Sequence, residues 1–223
     1  MSEKCPAILE FWFELASTYS YLAAMRIESL AEAARVEVRW RPFLLGPIFR
    51  SQGWDTSPFN IYKAKGRYMW RDMERLAGSQ GLTLVRPDPF PQSSLLAARA
   101  ALTTAVAPRI NEFSRNIFLA EFALGQNISD PEVLSGIAHD LGLNGRSMLS
   151  EANSASVKER VRSVTAEGQE RGVFGAPSFI THDGELFWGN DRLEQAAEWA
   201  ARQQRGVSCH ATVRQEPPRL TGR

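Results

Sequence analysis

The first 45 residues leave few folds open, because two apolar runs flank one helical pattern. Residues Ala7 to Leu15 read as a strand: aromatic and aliphatic side chains dominate, and Ile8, Phe11 and Phe13 are available for burial. Ser17 then suits a helix cap, and Tyr21, Leu22, Met25, Leu30 and Ala34 recur at helical intervals. Val36, Val38 and Trp40 announce a second strand, Val36 to Phe43, closed by Pro42 and a turn at Gly46-Pro47. Strand, helix and strand in so short a stretch call for a parallel pair joined by a right-handed crossover.

The remainder is mostly helical before it returns to strands. An amphipathic helix from about Asn60 to Gly78 sets Tyr68, Met69, Met73 and Leu76 against Lys63, Lys65, Arg67, Arg71 and Arg75. Pro87, Pro89 and Pro91 mark a boundary. Four helices follow: Ser93 to about Ala107, Pro108 to about Gly125, one opened by Asp130-Pro131, and one from about Ser147 to Gly172. Pro177 to Thr181 and Glu185 to Trp188 read as strands around His182-Asp183-Gly184, and Asn190 or Asp191 caps a helix from Leu193 to Gln203. The class is α/β, with a sheet split by an inserted all-helical domain. The expected division is a βαβ half over residues 1–59, a helical insert over 60–172, a ββα half over 173–205 and a flexible tail over 206–223.

Composition narrows the function. With 43% hydrophobic and 23% charged residues the chain is of ordinary globular type, not disordered. A net charge of +1 gives no electrostatic reason to expect nucleic acid or an anionic membrane as partner, so a small molecule is expected. Cys5 and Cys209 stand near opposite ends, outside any CxxC pair, which argues against a disulfide framework or a metal site. Glu3, Glu10 and Glu14 interrupt the apolar start, no run reaches the roughly 18 apolar residues of a membrane span, and the expected compartment is the cytoplasm. His139, His182 and His210 read as surface or structural residues, and the tryptophans as core, with some of Trp54, Trp70 and Trp188 walling a pocket.

Three junctions between elements carry polar residues. Ser17-Thr18-Tyr19-Ser20 lies where a strand gives way to a helix, beside free amides and the positive end of the helix dipole. Ser17 has two roles open to it: a plain helix cap, or a donor to a thiolate whose pKa it lowers by bonding the charged form. At Gly172-Val173-Phe174-Gly175-Ala176-Pro177 a proline opens a strand. It is either an ordinary trans proline breaking the loop, or a cis one that turns the Ala176 backbone outward to pair with a peptide-like ligand. At Trp188-Gly189-Asn190-Asp191-Arg192-Leu193, Asn190 and Asp191 either cap the helix or hold an amino-acid head group.

Taken together, FELASTYSYLA, KGRYMWRDMERLA, GVFGAP and FWGNDRL resemble the motifs of 2-hydroxychromene-2-carboxylate isomerases and kappa-class glutathione transferases. The resemblance implies a thioredoxin-like fold, glutathione as cofactor, an aromatic small-molecule substrate and a homodimer. It implies that Ser17 bonds the glutathione sulfur, with Ser17 and Ser20 standing where related disulfide oxidoreductases carry CxxC. Ala176 and Pro177 then match the element that pairs with the tripeptide backbone, and Gly189, Asn190, Asp191 and Arg192 the segment at its γ-glutamyl end. Lys65, Tyr68, Asp72 and Arg75 match a KxxYxxxDxxR stripe, in which Lys65 is an active-site cation and Asp72 with Arg75 a supporting pair. Asn60 and Arg50 match substrate-contacting positions. Two departures stand out: Thr18 replaces a common proline and adds a second hydroxyl, and Glu14 stands where aspartate is usual. The implied chemistry is reversible addition of the thiolate to a chromene-type or ring-opened α,β-unsaturated substrate; the alternatives are a kappa-like transferase and a non-catalytic thioredoxin-like binding module.

Overall fold

The computed structural model describes residues 7–206, so the expected tail past Gly206, both cysteines and His210 lie outside the described residues. Strand β1 (Ala7–Phe13) runs into helix α1 (Thr18–Ala34), and β2 (Val36–Pro42) returns parallel to β1, pairing Phe11 with Trp40. Two strands from the far end of the chain, β3 (Ser178–Thr181) and β4 (Leu186–Trp188), complete a sheet of order β2-β1-β3-β4, in which β3 is antiparallel to β1 and to β4. The split mixed sheet is the thioredoxin-like arrangement the sequence implies.

β1 is buried on both faces. Leu9, Phe11 and Phe13 point to one side, where Phe11 stacks on Phe13 and Phe179 at 5.0 and 5.5 Å and meets Trp40 edge-on at 4.9 Å. Trp12 points to the other side, among Phe43, Ile48, Val173 and Ile180. A strand bonded along both edges and covered on both faces buries residues of both parities, so Leu9 and Trp12 join Phe11 and Phe13 in the core, while Ile8, expected there, is only half-buried toward the start of the strand.

Between β2 and β3 the chain forms α2 (Leu45–Ser51), the short α3 (Pro58–Ile61), α4 (Lys63–Ser79), α5 (Leu95–Ala101), α6 (Ile110–Phe122), α7 (Pro131–Asp140), α8 (Gly145–Ala152) and α9 (Ala155–Glu170). A last helix, α10 (Leu193–Gly206), follows the 3-10 turn Asn190–Arg192. Asp130 caps α7 by accepting from the Glu132 amide, with Pro131 at the first helical position, as expected. The expected turn at Gly46-Pro47 is instead part of α2; proline is tolerated in a first turn, where its missing N–H has no intrahelical partner. The single helix expected from Ser147 to Gly172 is two, because Ser154 caps a new start by accepting from the Val157 amide.

The helical segment shares one core with the sheet: Phe113, Phe118, Phe122, Leu134 and Met148 belong to the same buried cluster as Phe11 and Phe13. α9 lies across the opposite face, where Gly168 packs so closely on the Trp12 ring that a Cβ would come within 2.9 Å of it. Truncating Phe11 to alanine should therefore cost about 3–5 kcal/mol, seen as an earlier midpoint in urea unfolding; a loss under about 1 kcal/mol would show that the stack does not hold the sheet.

Candidate active site

All three polar junctions arrive at one end of the sheet. β1 ends at Phe13, and a short turn closed by the Ser17 amide donating to the Glu14 carbonyl at 3.0 Å delivers Ser17 to the N-terminus of α1. Ser17 caps that helix by accepting from the Ser20 amide at 3.3 Å, and its hydroxyl donates to the Ala176 carbonyl at 3.3 Å. Both bonds are long for their type, so a stronger acceptor displaces them at little cost. No acidic residue lies in the first turn of α1, and the free amides there favour an anion.

The second junction is joined to the third through the backbone: the Gly189 amide donates to the Pro177 carbonyl at 2.9 Å. The Ala176-Pro177 bond is cis, the alternative the sequence reading held open. Gly189 has φ of +111°, and a Cβ on it would fall 2.5 Å from an Asp191 carboxyl oxygen, so the turn needs glycine. Gly175 is held by a different constraint, since a Cβ there would meet the Trp188 indole nitrogen at 2.4 Å. That close fit sets Trp188 beside Phe174, 4.8 Å between rings.

Arg26, on α1, was not legible as a site residue. Its guanidinium donates to the Asn190 side-chain oxygen at 3.1 Å and to the Asn190 carbonyl, and pairs with Glu194. With its oxygen turned to Arg26, the buried Asn190 amide has its N–H donors to offer elsewhere. Asp191 is exposed, and Arg192 lies 3.7 Å from its carboxylate.

These junctions border a cavity of about 1750 Å³, walled also by Phe49, Trp54, Phe59, Phe90, Phe174 and Trp188. Ser17, Ala176, Gly189, Asn190, Asp191, Arg192, Arg50 and Lys65 all line it. Pro177 does not: its ring is buried, and it contributes its carbonyl. Asn60 is exposed beside the cavity, and its amide donates to the Thr56 hydroxyl at 3.1 Å and the Phe90 carbonyl at 3.4 Å, both from residues of the cavity wall. Trp54 and Trp188 wall the cavity, whereas Trp70 is core, against Phe90 at 4.8 Å. Asp72 and Arg75 do form an ion pair at 3.0 Å, and Asp72 also accepts from the Tyr19 hydroxyl at 2.9 Å. The second hydroxyl at Thr18 is buried and donates to the Met69 sulfur at 3.3 Å, which leaves Ser17 as the half-exposed hydroxyl of the pair.

Comparison with known proteins places this geometry. The family model described as "DSBA-like thioredoxin domain" matches residues 8–199. The chain is 28% identical over 187 residues to a 2-hydroxychromene-2-carboxylate isomerase of Sphingobium xenophagum, covering 83% of this chain and 94% of that protein. It is 22% identical over 205 residues to glutathione S-transferase kappa 1 of Rattus norvegicus, covering 86% and 90%. A solved 2-hydroxychromene-2-carboxylate isomerase superposes with a TM-score of 0.78 at 26% identity, over 90% of this chain and 99% of that one.

The floor of the cavity carries an unusual charge arrangement. Glu14 is 7% exposed, accepts from the Ala16 amide at 3.0 Å and is bonded by the Ser94 hydroxyl. Burial outweighs both bonds and pushes its pKa from the ordinary 4.5 up to about 7. Glu121, on α6, is fully buried with neither carboxyl oxygen bonded, and burial, then the nearby Glu14, hold its pKa well above the usual range. The unfolded chain releases the Glu14 proton above 4.5 while the folded chain keeps it to about 7. Stability therefore falls as pH rises across that window, by about 3 kcal/mol, with Glu121 acting in the same direction. Urea unfolding at about pH 5 and pH 7.5 should show this fall in the native chain and a smaller one in Glu14→Gln; equal slopes would mean that Glu14 ionises freely in the fold.

Proposed function

We propose that this chain, which belongs to the DSBA-like thioredoxin domain family, is a glutathione-dependent isomerase acting on a 2-hydroxychromene-2-carboxylate-like compound. The observation that carries the proposal is the convergence of Ser17, Ala176 and the Gly189–Asp191 turn on one aromatic-walled cavity. A γ-glutamyl-cysteinyl-glycine needs a sulfur site, a backbone partner and an amino-acid site in series, and the three junctions offer those in order. The named activities of the relatives point the same way, toward an isomerase and a glutathione enzyme.

In this reading the glutathione sulfur takes the place of the Ala176 carbonyl as acceptor of the Ser17 hydroxyl. The amides of the α1 N-terminus add their field, and together they hold the thiol as thiolate near neutrality. The Ala176 backbone pairs with the tripeptide. The Asn190 amide, oriented by Arg26, donates to the γ-glutamyl carboxylate, and Asp191 accepts from the ammonium. The thiolate adds to the electrophilic carbon of a conjugated ring-opened substrate, turning a double bond into a single one. Rotation and loss of the thiolate complete a cis-trans isomerisation and return glutathione unchanged. Lys65 and Arg50, exposed residues of the cavity wall, take the substrate carboxylate, and the aromatic walls take its ring. The cytoplasm supplies the reduced tripeptide, and the assembly is the homodimer that the resemblance implies.

The same thiolate would serve a transferase if the substrate carried a leaving group. Stoichiometry separates the two. With 2-hydroxychromene-2-carboxylate as substrate, product should form with the glutathione concentration unchanged, and Ser17→Ala should lower kcat by about 10²–10³. Glutathione consumed one for one with product would make the chain a transferase, and turnover without glutathione would overturn the reading.

A further inference from the structure

A carboxyl group sits in this cavity without a cation to keep it charged. Glu14 lines the wall at the same turn that delivers Ser17, and it takes no part in any ion pair among the described residues. From α6 it is faced by Glu121, whose two oxygens have no hydrogen-bond partner, and from the segment before α5 by the Ser94 hydroxyl. On α4, Asp72 is committed to Arg75 and Tyr19, while the Lys65 ammonium lies over the Tyr62 ring at 5.0 Å. Arg26 is committed to Asn190 and Glu194. Two carboxyls buried together without a cation cannot both be charged, so the pair must hold at least one proton.

Among the described residues the cavity wall carries no histidine and no cysteine. Burial and Asp72 keep the Tyr19 hydroxyl, also on that wall, protonated far above neutrality. A group able both to give and to take a proton near pH 7 is therefore found at Glu14.

We propose that Glu14 is a catalytic proton carrier of this cavity, protonating the enolate formed when sulfur adds to the substrate and removing the same proton when sulfur leaves. The inference rests on the isomerase reading and deepens it. In the addition step the C–S bond forms and the electron pair of the conjugated double bond moves toward the carbonyl. The Glu14 O–H bond then breaks, its proton goes to the enolate, and a carboxylate is left. After rotation the carboxylate takes that proton back, the double bond re-forms, the C–S bond breaks and the thiolate departs. Protons and electrons balance with no oxidant or reductant. Glu121, reached by neither solvent nor a cation, keeps its own proton while Glu14 gives one up, because burial and then the nearby Glu14 hold its pKa well above the usual range.

Three readouts test this. In the free protein, an infrared or carbon NMR titration should find a glutamic acid changing state near pH 7, absent in Glu14→Gln; no such group in the native protein overturns the proposal, whatever becomes of glutathione. With glutathione and 2-hydroxychromene-2-carboxylate, Glu14→Gln should bind glutathione with its thiol pKa unchanged while kcat falls by about 10²–10⁴. Unchanged kcat in that variant overturns the proposal. Glu121→Gln, which exchanges a neutral acid for a neutral amide, should keep turnover and leave the alkaline limb of the kcat profile in place; a limb that moves or disappears in this variant belongs to Glu121 and also overturns the proposal. If the native protein neither binds nor uses glutathione, it is the isomerase reading that fails.

Discussion

The constraint on which the rest depends is the position of β1, bonded along both edges and covered on both faces. Phe11 and Phe13 lie under the helical segment, and Trp12 lies under α9. A strand so enclosed has no freedom to slip, because a one-residue shift would exchange the Phe11 face with the Trp12 face. Its end is therefore a fixed point. Ser17 stands four residues beyond Phe13, on a turn closed by a backbone bond, and inherits that rigidity. The strand paired with β1 on its other edge, β3, begins immediately after Pro177, so Ala176 is fixed by the same sheet. Gly189 is fixed in turn by its bond to Pro177. One enclosed strand thus positions three segments that lie far apart along the chain.

Much of this was legible in the sequence, and the reasons differ by element. The β-α-β opening was readable because its periodicity changes sharply at Ser17 and again at Val36. The three junctions were readable because each puts small or polar residues where an element begins. Helix breaks were harder. Gly46-Pro47 has the composition of a turn, yet its place in the first turn of α2 removes the objection to proline, and Ser154 caps a new helix inside an uninterrupted polar and apolar pattern. Asn60 followed a family position, but its bond to the Phe90 carbonyl, thirty residues on, is a tertiary fact. Arg26 was invisible for the same reason: on α1 it is one charged residue among several, and only folding brings it to Asn190. Glu14 was visible as an acid in an apolar run, but its partner Glu121 is 107 residues away in the numbering.

The site departs from the fold's usual economy in one respect. Buried carboxyls without cations reduce stability above their unfolded pKa; Glu14 offsets part of that cost by accepting from the Ala16 amide and the Ser94 hydroxyl, whereas Glu121 makes no hydrogen bond at all. The charge pattern is otherwise orderly. Arg26, Arg41, Arg75 and Arg171 are each paired, and Lys65 and Arg50 line the same cavity as Ser17. On the proposed function, cations for a substrate carboxylate, a helix end for a thiolate and a neutral acid for a proton would divide the cavity by chemistry, and Ser17 and Ser20 would need no thiol of their own because sulfur would enter and leave with the ligand.

The central claim is that the turn at Ser17 holds a glutathione thiolate, and its most direct measurement is the thiolate absorbance near 240 nm of protein-bound glutathione as a function of pH. The account expects a thiol pKa well below the free value of about 8.5, raised again in Ser17→Ala. Absence of binding, or a bound thiol titrating at the free value, would contradict it.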